Sequence, residues 1–360
     1  MTQRKAAIIA CNLGGPDKPE AVRPFLFNLF SDKAIIAAPQ PMRFALAALI
    51  STLRTKTAQG NYAIMGGGSP IVPETEKQAA ALDALLAERL AGSGILAKTF
   101  LAMRYWKPFT EDAARAAIGW GATEAIFLPL YPQFSTSTTA SSLAAWRRAS
   151  KLPTRAICCY PSETSFLEAH RDRILAAWRA GGSPPQPLVL FSAHGLPQRT
   201  IDRGDPYQWQ VERTSAGIGS LLPADWETRI CYQSRVGPLK WIGPSTEESL
   251  AAAARERRGV VLCPVAFVSE HVETLVELDH EYAELAKELG LPHYIRAPAL
   301  GATAPFIESL GNLVVQALTE PPGAIRSECG ARLCPVSFKQ CPNQRAPAER
   351  SGALAGVPTA

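Results

Sequence analysis

Short apolar runs, separated by helix-length amphipathic stretches, constrain this chain more than any other feature. Ala6–Cys11, Leu96–Met103, Glu124–Leu130 and Thr154–Cys159 read as strands. So do Leu188–Ser192, Thr228–Tyr232, Gly259–Val265 and Tyr294–Ala297. Most are apolar without strict alternation, as strands buried on both faces are. Helical patterns fill the gaps. Glu74–Leu90 carries Leu82, Leu85, Leu86 and Leu90 on one face, and His271–Leu289 is a second example. Strands joined by crossover helices give parallel sheets covered on both sides. Four strand–helix repeats followed by four more therefore predict an α/β chain of two similar doubly wound Rossmann-like domains. Each should hold a four-stranded parallel sheet flanked by helices.

The length agrees, since 360 residues at roughly 150 per domain make about two. The N-terminal domain is expected to take residues 1–160 plus 301–325, and the second 161–300. The last helix, Thr303–Leu318, is followed by Glu320-Pro321-Pro322-Gly323, which ends regular structure. A cysteine-bearing tail spans 326–345, and the Ala-, Pro-, Gly- and Ser-rich 346–360 is expected to fray.

Composition removes several function classes. Apolar residues make up 47% and charged residues 19%, a globular balance. The net charge of +5 is dispersed, which argues against a nucleic-acid partner. Eight cysteines are too sparse for a disulfide scaffold. Met1–Lys5 leads straight into the first strand with no signal pattern, so a cytoplasmic chain is expected. Gly14-Gly15 and Gly66-Gly67-Gly68 fit neither nucleotide-binding glycine motif, and no nucleotide cofactor is expected. No nucleophile elbow of the form G-x-S-x-G occurs. Phe25–Phe30, Ile35–Pro41 and Phe44–Leu53 are apolar but interrupted by Asp32, Lys33 and Arg43. They read either as core helix or as an apolar lip for a greasy ligand or a membrane surface.

Open parallel sheets bind ligands beyond the carboxyl ends of their strands. Those ends carry Asn12–Pro16, Arg104–Trp106, Tyr131–Thr136, Ala193–Pro197, Gln233–Pro238 and Phe267–Glu273. His194 lies between Ala193 and Gly195, whose small size leaves the imidazole accessible. Glu270, Glu273 and Glu277 fall on one stripe of a helix starting near Glu270. A lone histidine is more often structural, and carboxylates near a helix start are ordinary capping chemistry. Facing each other across a cleft, however, His and Glu make a weak metal site and a proton acceptor. Such a site is too poor in ligands for structural zinc and suits a metal that is handed on.

Leu190-Phe191-Ser192-Ala193-His194-Gly195-Leu196-Pro197 resembles the active-site histidine signature of the ferrochelatases. Gln233–Pro238 with Trp241, Gly243-Pro244 and Thr246 continues it, and Pro264–Asp279 resembles the second signature. Asn12–Pro16, Gly66–Pro70, Arg104-Tyr105 and Tyr131–Thr139 also match, so the resemblance covers residues 5–320. It implies a class II chelatase-like fold and insertion of Fe(2+) into protoporphyrin IX. The product is protoheme, two pyrrole protons are released, and the step is the last of heme synthesis. It implies that His194 and Glu273 face the pyrrole nitrogens, binding the iron, accepting protons or both. Glu270, His271 and Glu277 would form a polar relay behind Glu273. A flat apolar macrocycle suits walls of Tyr62, Tyr105, Trp241 and Phe267. Arg104 and Ser69 are candidates for its propionates. Ile36 stands at a lip position where some members carry Met, an apolar exchange of similar volume. The apolar segments then read as a lip, with peripheral contact at the inner face of the membrane. Coproporphyrin or cobalt as substrate, and a non-catalytic tetrapyrrole carrier, are the alternatives. Monomer and homodimer both stay open.

Cys329-x4-Cys334-x6-Cys341 reads as a metal site or free thiols, and zinc more often shows C-x2-C spacing. The resemblance to bacterial-type ferrochelatases with a C-terminal cysteine motif implies a [2Fe–2S] cluster with one further thiolate from the body. Thr136 occupies the place where one branch has that ligand. Cys158 and Cys159 should point to opposite faces of a strand, so only one should reach the tail. Cys158 is the expectation and Cys159 the rival. Cys11, Cys231 and Cys263 fall inside strands and read as buried structural thiols.

Overall fold

The structure, a computed structural model, describes residues 3–235 and 239–345. The segment 346–360, and the 236–238 part of the second-half signature, lie outside the described residues.

The strands form two sheets, and every pairing is parallel. The first has the order β2–β1–β3–β4–β9. Its members are β1 (Arg4–Asn12), β2 (Ile95–Met103), β3 (Glu124–Pro129), β4 (Thr154–Cys159) and β9 (Ile325–Ser327). The second has the order β6–β5–β7–β8. Its members are β5 (Leu188–His194), β6 (Glu227–Gln233), β7 (Val260–Pro264) and β8 (Tyr294–Arg296). β1 shows why its residues form a central strand. Ala6, Ile8 and Ala10 face one core, and Ala7, Ile9 and Cys11 face the other. Both faces are buried, so both parities are apolar.

In each sheet the chain winds outward in both directions from one central strand. The turn-over points fall beside β1 and β5, where the crossovers leave a crevice at the carboxyl ends. His194 ends β5, and Asn12 ends β1.

The two flanked parallel sheets match the expected α/β class, with two local differences. The first sheet has a fifth strand, β9. Its Ile-Arg-Ser triplet is too short and polar to read as a strand, yet it covers the otherwise open edge of β4. The helix expected over His271–Leu289 is also not uniform. It is a π-helix over Glu273–Glu281 and an α-helix over Tyr282–Glu288.

The helices Thr164–Ala180 and Ala304–Leu318 pack together and join both sheets in one apolar core. Ile8 and Ile126 of the first sheet, Val189 and Val261 of the second, and Phe166 and Phe306 of these helices belong to it. Cys11, Cys231 and Cys263 are buried in β1, β6 and β7, as expected.

The apolar segments of the first half form helices Val22–Phe30 and Gln40–Ile64 with a turn between them. Each helix has a buried and an exposed face. Val22, Phe25, Leu26 and Tyr62 pack inward with Tyr105. Met42, Leu49, Leu53 and Ile64 are each more than half exposed. No helix among the described residues is long and apolar enough to cross a membrane.

Candidate active site

His194 leaves β5 at its carboxyl end, and Gly195 lets the chain turn tightly there. A Cβ on Gly195 would lie 3.0 Å from the Gln233 carbonyl oxygen and 3.5 Å from the Trp241 ring. The His194 side chain keeps 38% of its surface exposed, so its ring can meet a ligand. Its Nδ1 lies 2.7 Å from Glu273 Oε2. Burial pulls the imidazole pKa down, but the adjacent Glu273 carboxylate outweighs burial and the net shift is upward. Burial likewise raises Glu273, and the His194 charge overrides it, holding that carboxylate below its usual range. The pair is a histidine–carboxylate contact at the cleft.

Behind Glu273 stands a hydrogen-bonded set. The π-helix starts at Glu273, and Glu273 and Glu277, four residues apart, converge on the same partners. The Ser234 hydroxyl is 2.6 Å from Glu277 Oε2 and 3.2 Å from Glu273 Oε2. Ser234 adopts φ +61°, a left-handed backbone that is uncommon outside glycine. Gln233 is fully buried, and its amide orientation is set by its partners. Its Oε1 accepts from the Ser192 hydroxyl at 2.8 Å. Its Nε2 donates to the Glu273 carbonyl at 3.1 Å and to Glu277 Oε2 at 3.0 Å. Burial, with Glu273 close by, pushes the Glu277 carboxyl up to about 7. His271 is buried, donates from Nδ1 to the Ser269 carbonyl at 3.1 Å, and has its pKa lowered by burial. Its Nε2 lies 3.9 Å from Glu273 Oε1.

Glu270 does not join this set. Its Oε1 accepts from Arg296 Nη1 at 2.6 Å and from the Ala299 amide at 2.8 Å. The expected stripe of three glutamates assumed an α-helix from Glu270. The helix begins later and with a wider turn, so Glu270 lies before it.

The aromatic candidates lie around the same cleft. Tyr62 is buried on helix Gln40–Ile64, where burial, and then the Glu273 charge, push its phenol up. Val272 packs into the same cluster as Tyr62 and Tyr105. The Phe267 ring centroid is 4.8 Å from that of His271. Trp241 pairs with Pro197, and its Nε1 is buried without a partner among the described residues. Ser69 donates from its amide to the Pro16 carbonyl at 2.7 Å. A Cβ on Gly15 would lie 2.5 Å from Ser69 Cβ, so the Gly14-Gly15 pair serves this loop contact.

Arg104 and Tyr105, the candidates for a propionate partner and a wall, both bond to Asp32. Arg104 Nη2 donates to Asp32 Oδ2 at 2.7 Å, and its Nε donates to the Ser141 hydroxyl at 2.8 Å. The Tyr105 hydroxyl donates to the same Asp32 oxygen at 2.9 Å. The guanidinium charge is therefore matched within the protein. Ile36 is half-buried in the turn that Asp32 opens.

In the tail, Cys158 and Cys159 do not point apart. A register shift between Ile157 and Cys159, where β4 pairs with β9, puts their sulfurs 3.4 Å apart. The alternation rule fails at such an irregularity. Cys334 lies near the Cys159 and Cys341 thiols, and Gln210 Nε2 donates to it at 3.1 Å. These contacts hold the Cys334 thiol well below its usual range. Cys329 is exposed and faces Ser327 and the Ala331 carbonyl. Thr136 donates from its amide and hydroxyl to Asp205. Among the described residues, no three His, Cys, Asp or Glu side chains converge as a ready metal cage.

Ser234, Asp32, Arg296 and Gln210 carry the site's supporting contacts without having been singled out from sequence. In sequence, Ser234 reads only as part of the Gln233–Pro238 segment, and Asp32 only as an interruption of the apolar segments.

Comparison with known proteins agrees with this geometry. A solved structure of SirB from Bacillus subtilis with Fe3+ has a TM-score of 0.50 at 14% identity, covering 88% of this chain and 96% of that one, and so shares the fold. A ferrochelatase of Caulobacter vibrioides is 55% identical over 95% of this chain and 98% of its own length. One of Hyphomonas neptunium is 52% identical over 94% and 95%. A family model, Ferrochelatase, matches residues 5–318. That match takes in both crevices, His194 and the π-helix, and with relatives of the same name alike along nearly the whole chain, the protein belongs to the ferrochelatase family.

Proposed function

We infer that the chain inserts Fe(2+) into protoporphyrin IX, giving protoheme and two protons in the last step of heme synthesis. The observation that carries this reading is the half-exposed His194 paired with Glu273 at the cleft. Metalation puts a dication where two N–H protons were, so the site needs groups that ligate a metal and accept protons. His194 faces the macrocycle and, as the free imidazole, ligates the metal or accepts a proton, and Glu273 balances the charge that results. Glu277, joined to Glu273 through Ser234, offers a carboxyl that titrates near neutrality and takes up a released proton. His271 stands behind as a neutral imidazole, and Glu270 holds the loop before the π-helix through Arg296. Tyr62, Trp241, Phe267 and Ile36 supply the apolar walls, and Ser69 is the remaining candidate for a propionate.

The tail cysteines are proposed to hold a [2Fe–2S] cluster. The donor set fits in kind, because thiolates are what such a cluster needs and the Cys334 and Cys341 segment lies near the adjoining Cys158 and Cys159 of β4. The contact with Cys334 favours Cys159 over Cys158 as the body ligand, and Cys329 completes the four. Such a cluster would tie the tail to β4, and iron insertion itself moves no electron. The exposed apolar face of Gln40–Ile64 supports peripheral contact of a cytoplasmic protein with the membrane.

The deciding experiment is anaerobic insertion of Fe(2+), with Co(2+) in parallel, into protoporphyrin and coproporphyrin side by side. Protoheme should form fastest. Faster turnover of coproporphyrin or of cobalt would overturn the substrate assignment. Tight porphyrin binding without turnover would instead indicate a carrier.

A further inference from the structure

We propose that Asp32 is a positioning residue that clamps the lip turn to the first sheet, and that Arg104 acts through it and not on substrate carboxylates. The proposal rests on the cleft being the porphyrin site. The Asp32 side chain is only 9% exposed, although its turn lies at the surface. Its Oδ2 accepts from Arg104 Nη2 at 2.7 Å, from the Tyr105 hydroxyl at 2.9 Å and from the Ser141 hydroxyl. Its Oδ1 accepts from the Ala34 amide at 2.9 Å. Its backbone carbonyl accepts from the Ile35 amide at 3.1 Å and the Ile36 amide at 2.9 Å. One residue thus orders the turn from 33 to 36 and attaches it to three donors of the body.

Those donors stand on rigid parts. The Arg104 amide donates to the Asn12 carbonyl at 2.9 Å, and the Tyr105 amide to the Leu13 carbonyl at 3.0 Å. These bonds extend the β1–β2 ladder past its last residues. Ser141 is buried in the first turn of helix Thr139–Ala149. On the far side of the turn, Arg43 donates to the Ser31 carbonyl at 2.9 Å and the Ala38 carbonyl at 2.7 Å. The turn is therefore stapled within itself by Arg43 and fastened to the sheet by Asp32. A carboxylate among several fixed donors holds direction as well as distance. Displacing it would move Ile36, the residue at the lip, relative to the cleft.

The test measures porphyrin binding by fluorescence quenching, in the full chain, for wild type, Asp32→Asn, Arg104→Gln and the double variant. The probes are protoporphyrin IX and its dimethyl ester in detergent micelles. Each single variant should weaken both porphyrins about tenfold, and the double variant no further, because both remove one clamp. Backbone amide exchange should quicken at 34–36 in Asp32→Asn. Tyr105→Phe removes one donor without uncovering a charge, and should weaken both porphyrins by about threefold if the charge variants fold poorly. Losses that multiply in the double variant would overturn the clamp. So would an Arg104→Gln loss that disappears with the dimethyl ester, since Arg104 would then contact propionates. A wild type that binds neither porphyrin would overturn the reading of the cleft itself.

Discussion

His194→Ala removes the imidazole at the end of β5 and leaves Glu273 without its 2.7 Å partner. With His194 protonated, two unit charges at that distance attract by roughly 6 kcal/mol at an effective dielectric near 20. Little of this appears as stability. His194 is 38% exposed, so water screens the pair, and both groups lost hydration to form it. Glu273 also keeps the Ser234 hydroxyl at 3.2 Å. The net cost should be about 1 kcal/mol, or no more than about 3 °C in melting temperature. Activity should respond far more strongly. Loss of a positioned proton acceptor lowers turnover by about 10²- to 10⁴-fold. The assay follows protoheme formation anaerobically at saturating Fe(2+), with porphyrin binding and thermal melting measured on the same samples. A folded variant with kcat within threefold of wild type would refute the assignment of His194. A melting loss of tens of degrees would refute the energetic argument.

Three further outcomes are expected. Gly15→Ala places a Cβ 2.5 Å from Ser69 Cβ, so the loop must shift at a cost of about 1–3 kcal/mol, read by urea denaturation. An unchanged midpoint would contradict the close approach. Glu124 lies between Arg4 and Arg155; burial raises its pKa, but the two guanidiniums outweigh burial and the net shift is downward. Its stabilisation is therefore present above the ordinary carboxylate range and is lost as pH falls through the folded value. Glu124→Gln should cost about 3 kcal/mol at pH 7, with the gap to wild type closing on acidification. A gap independent of pH would count against the pairing. Anaerobically purified protein should carry visible absorption, iron and acid-labile sulfide, and Cys334→Ser should lose all three. A colourless wild type after cluster reconstitution would end the cluster proposal.

Sequence alone determined the parallel α/β class, because strands buried on both faces must be apolar at both parities, as β1 is. It also determined which residues follow strand ends, and hence that His194 would stand at a crevice. It did not determine who partners whom. β9 has three residues, and only the open edge of β4 makes it a strand. The register shift that brings Cys158 and Cys159 together belongs to that same pairing. Arg104 reads only as a candidate for the propionates, and its contact with Asp32, 72 residues away, is not foreseen. Glu273 and Glu277 read as part of an α-stripe until the π-helix displaced Glu270 from it. Periodicity and burial are local properties, written into each segment by its own side chains. Pairing between segments depends on which edges, turns and charges the folded chain brings within a few ångströms, and only the tertiary structure decides that.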